Sequence, residues 1–205
     1  MEGIKGLYTG GGLWVPTPIR VDKLGNLLSS PGLPRYTEQA RRGTGWQVIS
    51  TAAVAAVVVR PSATAAVEIW NGEQGGGYSY VVDRAFAWNL VATAVNSNAV
   101  MWAMVTKAKA APANTLAPIG LSGKVYGGKA LVAVGTTVTD NGWYPIGPNY
   151  IASNAAAPGG GWEALIEGRI IVPPQCSLCL HVSGSIVGDT YTQGAAWYEE
   201  LLDLM

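Results

Sequence analysis

The pattern that decides the fold lies near the carboxyl end of the chain, in WEALIEGRIIV at 162–172, CSLCLHVSG at 176–184 and TYTQGAAWYEE at 190–200. Each segment has the character of a strand, whose side chains alternate between two faces. Pro173-Pro174 and Gly184 separate the segments, and both residue types interrupt a sheet ladder. The segments therefore predict successive antiparallel strands, and no set of acids, bases or metal ligands accompanies them.

The same punctuation by glycine and proline continues upstream and predicts about eight to ten short strands in all. Asn71-Gly72 is typical of a tight turn, so the strands on either side of it are predicted to pair as a hairpin. Residues 145–161, which contain several prolines and glycines, are predicted to form a long loop. Eight strands in two packed sheets fit an all-β, antiparallel β-sandwich that is jelly-roll-like. The predicted upstream strands lie at 47–59, 63–70, 78–83, 85–94, 99–107 and 130–138.

Residues 1–45 form a different kind of segment, because glycines and closely spaced prolines punctuate them. Such a stretch excludes a long helix or a central strand, although one or two helical turns fit residues 36–42. We expect an extended amino-terminal arm at 1–45, which docks on its own domain or on a neighbouring subunit, followed by a β-sandwich domain at 46–205. The anchors of the arm would be Tyr8, Trp14, Val15 and Ile19.

The chain of 205 residues is poor in charge. Charged residues make up 13 %, about half the roughly 25 % of a typical soluble domain. A helix that spans a bilayer needs about 20 apolar residues, whereas Ile49–Val59 is shorter and polar residues interrupt Ala85–Val105. No signal peptide is visible at the amino terminus. We therefore expect a soluble chain with no membrane partner.

So few charges imply that part of the surface is covered. Interface cores are depleted in charge and enriched in tyrosine and tryptophan, and the chain has 8 Trp and 9 Tyr but 1 Phe. An obligate oligomer or larger assembly is one explanation, and a sandwich core that uses tryptophan is the other. Net charge is +3 over 1–45 and −4 over 185–205, which would steer one copy's arm onto a neighbour's tail. The basic residues do not form the patch that nucleic acid requires.

The segment Cys-Ser-Leu-Cys at 176–179 resembles a metal or redox motif only in its spacing. A structural zinc ion takes four ligands, and the chain has 2 Cys and 1 His, which is His181. On a strand, Cys176 and Cys179 point to opposite faces. We expect two buried free thiols, no metal site and no cofactor.

The patterns of common catalytic sites are incomplete in this sequence. Gly120–Lys124 lacks the spacer and the hydroxyl residue of a phosphate-binding loop, and His181 has no arranged nucleophile as a partner. Glu163 and Glu167 share one face of a strand, where Arg169 makes them a salt-bridged outer surface rather than an acid–base pair. We therefore predict no catalytic residues and no enzyme activity.

Aromatic residues in loops leave a second kind of function open. Such side chains stack on sugar rings or fill contacts between subunits, and the sequence does not separate the two uses. The candidate loop aromatics are Trp70, Tyr78, Trp143, Tyr144, Tyr150 and Trp162.

Four segments resemble small virion proteins of tailed bacteriophages: ATAAVEIWNGEQGGGYSYVVD at 63–83, LSGKVYGGK at 121–129, GRIIVPP at 168–174 and AWYEE at 196–200. The likeness covers roughly residues 50–200. It implies a non-enzymatic virion component with a jelly-roll-like sandwich, often trimeric.

From this resemblance we expect a head-decoration (cement) protein that stabilises the capsid as an oligomer. It would reside in the virion after assembly in the host cytoplasm. Its expected partners are itself, as a homotrimer, and the major capsid protein or other virion proteins, with no nucleic acid and no membrane. A receptor- or glycan-binding fibre or tail module, and another capsid or tail structural component, stay open as alternatives.

Overall fold

The computed structural model describes residues 5–10, 13–18, 37–91, 97–107, 111–152, 160–186 and 188–202. The chain divides into two compact units, Met1–Glu38 and Gln39–Met205. In the first unit, β1 (Lys5–Gly10) pairs antiparallel with β2 (Leu13–Pro18), so the predicted extended arm contains a two-stranded hairpin. The side chains of its predicted anchors lie outside the described part of the chain, namely Tyr8, Trp14, Val15 and Ile19.

A short helix, α1 (Thr37–Arg42), lies where helical turns are predicted. It ends at Gly43, which adopts a left-handed φ of 76°. The amides of Gly43 and Thr44 donate to the carbonyls of Ala40 and Gln39, at 3.1 and 3.0 Å. This is a Schellman motif, in which glycine takes the left-handed position without strain. Within the described residues α1 is the one helix.

The second unit is a sandwich of two antiparallel sheets, which confirms the predicted fold class. The five-stranded sheet has the order β10-β7-β12-β5-β9, and the six-stranded sheet has the order β11-β6-β13-β3-β8, with β4 also paired to β13. The strands are β3 (Gly45–Ile49), β4 (Val54–Ala55), β5 (Thr64–Asn71), β6 (Ser79–Val91), β7 (Ser97–Lys107), β8 (Ile119–Gly120), β9 (Ala130–Thr137), β10 (Tyr144–Ala152), β11 (Gly161–Val172), β12 (Cys176–Gly184) and β13 (Thr190–Glu200).

Eight of the strands pair as those of a jelly roll do, namely β3, β5, β6, β7, β10, β11, β12 and β13. Taken in chain order, the first pairs with the last and the second with the last but one, so that β3 pairs with β13, β5 with β12, β6 with β11 and β7 with β10. Successive nested pairs alternate between the two sheets, as expected when one long antiparallel hairpin is wound around a core. The additional strands β8 and β9 extend the two sheets beside β3 and β5.

The predicted hairpin at Asn71-Gly72 is wrong, because β5 and β6 belong to different sheets. The side-chain amide of Asn71 is fully buried and donates to the carbonyls of Tyr78 and Val172, at 2.8 and 3.0 Å. Asn71 therefore fixes a corner where the chain crosses from one sheet to the other.

A second corner replaces the predicted single strand at 47–59. The chain last pairs with the six-stranded sheet through β4, and the amide of Val57 then donates to the carbonyl of Val182 in the five-stranded sheet, at 3.2 Å. The β-branched residues of this segment favour extended structure but do not determine which sheet they join.

Two further predictions differ in detail. Predicted strands 78–83 and 85–94 are one strand, β6, whose register against β13 shifts at Asp83, so the irregularity is a bulge rather than a break. The predicted loop at 145–161 contains β10. Its prolines are tolerated because β10 lies at a sheet edge, where a missing amide faces away from the ladder.

The main core lies between the sheets. Val67 and Ile69 belong to it, and the rings of Tyr80 and Trp197 stack there with centroids 5.7 Å apart. Much of the tryptophan content therefore serves the core. Among the seven tryptophans whose side chains are described, Trp88 alone is exposed.

Candidate functional site

The side chains of β6 are arranged in the opposite sense to those of an ordinary sandwich strand. An antiparallel sheet with one solvated face normally places apolar residues inward and polar residues outward. In β6 the small residues Ala85 and Ala87 face the core, whereas Phe86, Trp88 and Leu90 face outward. Trp88 is 48 % exposed and Leu90 is 45 % exposed. The outer face of this sheet therefore has the composition of a covered surface.

The apolar surface extends across the six-stranded sheet. The register places Glu163, Phe86, Gly194 and Ile49 in one row across four strands. The adjacent row consists of Leu165, Arg84, Ala196, Gln47 and Ile119, so polar side chains lie between its two apolar ends. We call this surface, defined by Ile49, Phe86, Trp88, Leu90, Ile119 and Leu165, the open face.

Two glycines shape the open face. A side chain at Gly194 would meet the ring of Phe86, at 2.6 Å from its Cε2 atom, and one at Gly161 would meet the indole of Trp88. Both rings therefore lie directly over backbone, where only glycine leaves room for them. Hollows of about 490 and 450 Å³ flank Phe86. Gln47, Val48, Ile49, Thr51, Thr115, Leu116, Ala117 and Ile119 line the larger one, and Trp88, Gly161, Trp162 and Glu163 line the smaller one.

The charged groups beside the open face pair with one another. The guanidinium of Arg84 lies 2.9 Å from the carboxylate of Asp83 and 3.1 Å from that of Glu163. The hydrogen bonds that Arg84 donates to Asp83 and then to Glu163 raise the pKa of Arg84 above its ordinary value. A partner that covered this face would therefore not leave these charges unpaired.

The edge strands β9, β10 and β11 each carry a feature that opposes the addition of another strand. An exposed edge is normally blunted by proline, a bulge or a covering loop. Pro145 lies in the edge strand β10, and the carboxamide of Asn114 accepts the amide of Val132 in β9, at 3.1 Å. In β11, Glu167 has a left-handed φ of 53° within a bulge, and the guanidinium of Arg169 donates to the carbonyl of Leu165, at 2.7 Å. Association through a face is therefore favoured over association through an edge.

The outer face of the five-stranded sheet is covered by the chain itself. Residues 138–143, here called the crossing loop, join β9 to β10 at opposite edges of that sheet. The loop crosses the outer face, where Trp143 packs on Met104 and Cys179. The indole of Trp143 donates to the carbonyl of Ser62, at 3.0 Å. We call this surface the covered face.

Polar groups lie beneath or beside the crossing loop. The carboxylate of Glu68 accepts the hydroxyl of Ser177, at 2.7 Å, and both side chains are buried. His181 is 2 % exposed, and burial lowers its pKa below the ordinary histidine value. The covered face is therefore an internal surface, shielded from substrates.

The prediction of two buried free thiols holds for Cys179, whereas Cys176 is only half-buried. Cys176 and Cys179 are free and point to opposite faces of β12, since Cys176 packs on the main core and Cys179 packs under Trp143. Burial raises the pKa of both thiols. Within the described part of the chain, no three His, Cys, Asp or Glu side chains group as metal ligands would.

The other motif residues are dispersed. Gly120 and Lys124 close a tight turn after β8, in which the amide of Gly120 donates to the carbonyl of Lys124, at 3.0 Å. The predicted grouping of Glu163 with Arg169 is wrong, because Glu163 pairs with Arg84 and the guanidinium of Arg169 binds backbone carbonyls. The bulge in β11 breaks the alternation on which that prediction depended.

The predicted loop aromatics do not form one platform. Trp143 is buried at the covered face, Trp162 packs edge-on against Tyr191 in the core region, and Trp70 and Tyr78 flank the corner at Asn71. Tyr144 lies in β10, and the side chain of Tyr150 lies outside the described residues. The open face instead uses aromatics on β6, whose alternation in the sequence is the signal that could have revealed them.

The chain matches no protein-family model, no curated protein and no solved structure. In the described residues, no helix is long and apolar enough to cross a membrane.

Proposed function

We propose that this protein is a structural component of a tailed-bacteriophage virion, most simply a head-decoration (cement) protein that stabilises the capsid as an oligomer. The observation that carries the proposal is the open face. It is a broad surface of mainly apolar side chains whose one guanidinium is bridged to two carboxylates, which suits it to contact other protein chains. The resemblance of the sequence to small virion proteins supplies the setting.

The proposed mechanism is mechanical. Each contact removes apolar surface from water, which stabilises by about 25 cal/mol per Å² before the entropy of association is subtracted. On a capsid the same contact repeats at many lattice positions, so that modest individual affinities combine into slow dissociation. The jelly roll contributes a scaffold that holds the open face without rearrangement.

The chemistry of the described residues agrees with a binding role. The chain's one histidine is buried and its pKa is lowered, so it is unsuited to exchange protons with a substrate at the surface. The thiol of Cys179 is 0 % exposed, and burial raises its pKa, which opposes the thiolate that nucleophilic catalysis requires.

The test uses empty heads of the phage whose genome encodes this sequence. Purified protein is mixed with heads that lack it, and bound protein is separated by sedimentation. We expect saturable binding to the empty heads. We also expect DNA-filled particles that lack the protein to withstand a higher temperature, once the protein is added, before a dye reports the DNA that they release. Heads that bind none of the protein, together with phage that lack the protein and fail only in host adsorption, would reject the decoration role.

A glycan-binding fibre or tail module is the second candidate, and one observation favours it. The indole of Trp88 lies flat over Gly161 and is half exposed, with Arg84 and Glu163 beside it. A flat indole with flanking hydrogen-bonding groups is suited to stack on a sugar ring. A glycan array probed with the wild-type protein and with Trp88→Ala tests this role, and binding that is lost in the variant would favour it over the cement role.

A further inference from the structure

We propose that the open face is covered by a second copy of this chain, and that the ridge of β6 in one copy enters the larger hollow of the other. The ridge consists of Trp88 and Leu90. The hollow extends from the ring of Phe86 to Ile49 and Ile119. This proposal rests on the proposed function as an assembling structural protein and assigns the surface through which copies meet.

The size of the open face matches that of a protein interface. Ile49, Trp88, Leu90, Ile119 and Leu165 are each between 44 % and 60 % exposed. With roughly 150–200 Å² for each large side chain, they expose roughly 400–500 Å² of apolar area together. A standard interface buries about 800 Å² on each partner, of which about 500 Å² is apolar. The open face therefore supplies the apolar part of one such contact.

The open face carries both a ridge and a hollow, so the ridge of one copy can fit the hollow of another. The ridge lies on β6, and the hollow extends from Phe86 across β13 to β3 and β8. The outward positions of β13 carry Gly194, over which the ring of Phe86 lies, and Ala196, so no large side chain of β13 separates the ridge from the hollow. The hollow of about 490 Å³ lies within the roughly 300–1,000 Å³ range of pockets that enclose whole ligands, so it has room for side chains of the ridge.

Charge does not prevent association with an identical partner. Two copies of one chain present like charges to each other wherever their charged groups face, which weakens association. On the open face the guanidinium of Arg84 bridges the carboxylates of Asp83 and Glu163, so the three groups leave a net charge of −1 per copy. The side chain of Asp83 is buried, so the repulsion between two copies is small.

The test is the mass of the purified full chain by light scattering in the absence of heads. We expect an oligomer for the wild type. Trp88→Asp or Leu90→Asp on the ridge, and Ile119→Asp in the hollow, should each raise the dissociation constant at least 100-fold and give single chains. Val59→Asp is the matched control, because Val59 is 68 % exposed and lies outside the open face, and it should remain oligomeric.

Mixing sharpens the test. A ridge variant keeps an intact hollow and a hollow variant keeps an intact ridge, so Leu90→Asp mixed with Ile119→Asp should form a complex that contains both chains, seen by native mass spectrometry. Circular dichroism and melting temperature confirm that each variant folds. A wild type that is monomeric at high concentration, face variants that remain oligomeric, or a mixture that stays monomeric would overturn the proposal.

The head-binding assay separates this proposal from the proposed function. An oligomer that ignores heads would reject the decoration role and leave the self-association surface intact. A monomer that binds heads would reject the self-association surface and leave the decoration role intact.

Discussion

Both outer faces of the sandwich carry apolar side chains, but only one of them is covered by a loop of the described chain. The five-stranded sheet covers its outer side with the crossing loop, which places Trp143 over Met104 and Cys179. The six-stranded sheet leaves the ring of Trp88 48 % exposed. Under the proposal made above, folding completes one face and assembly would complete the other.

The largest expected effect is a loss of stability when Trp143 is removed from the covered face. Trp143→Ala removes a buried indole and its hydrogen bond to Ser62, and we expect the free energy of unfolding to fall by about 3–5 kcal/mol. Trp88→Ala is the matched control and should lower it by about 1 kcal/mol. Denaturant unfolding in the Leu90→Asp background measures both without a contribution from association.

A second readout tests the position of the crossing loop. Cys179 lies beneath Trp143 and is 0 % exposed, so a thiol reagent should label it much faster in Trp143→Ala than in the wild type. Equal unfolding free energies for the two tryptophan variants, or unchanged labelling of Cys179, would contradict the contrast between the faces.

The next effect concerns the shape of the open face. Gly194→Ala places a methyl group against the ring of Phe86 and the carbonyl of Val48, which we expect to destabilise the fold by about 1–3 kcal/mol. Gly127→Ala is the control, because a side chain there meets no atom within 4 Å. Thermal unfolding of the two variants decides the matter, and a Gly194→Ala protein as stable as the control would show that the rings do not lie as described.

These contrasts also show which parts of the structure could be read from the sequence. The bounds of β11, β12 and β13 are predicted almost residue by residue, since proline and glycine end each strand. The placement of β5 and β6 in different sheets is not predicted, because Asn71-Gly72 suits a turn within a sheet and a corner between sheets equally well. Only the buried side chain of Asn71, bonded to Val172, distinguishes the two.

The open face is not predicted from the sequence for a related reason. The alternation of Ala85, Phe86, Ala87 and Trp88 is plain in the sequence, and a strand is expected to point its large apolar residues inward. In the sandwich the interior beside β6 is already filled by Tyr80 and Trp197, so the alanines face it. The direction of an alternating pattern depends on neighbours that are distant in sequence.

A smaller effect follows from the histidine of the covered face. Burial lowers the pKa of His181, so the folded state favours the neutral ring. Its contribution to stability is present above the unfolded pKa of about 6.5 and is lost as pH falls through the folded value. We expect His181→Gln to reduce the loss of stability below about pH 6.5 by about 1 kcal/mol, measured by urea unfolding from pH 7.5 to 5. An identical pH profile for the variant would contradict the assignment.

The smallest expected effect concerns the exposed ion pair between Arg60 and Asp140 of the crossing loop. The guanidinium of Arg60 lies 2.6 Å from the carboxylate of Asp140, and this hydrogen bond lowers the pKa of Asp140. The contribution is therefore present above the unfolded carboxyl pKa and is lost as pH falls through the folded value. Since the pair is exposed and screened by salt, Arg60→Ala should shift the unfolding midpoint slightly at low ionic strength and not at 1 M salt. A shift as large as that of Trp143→Ala would mean that the loop is held by this ion pair rather than by the buried indole.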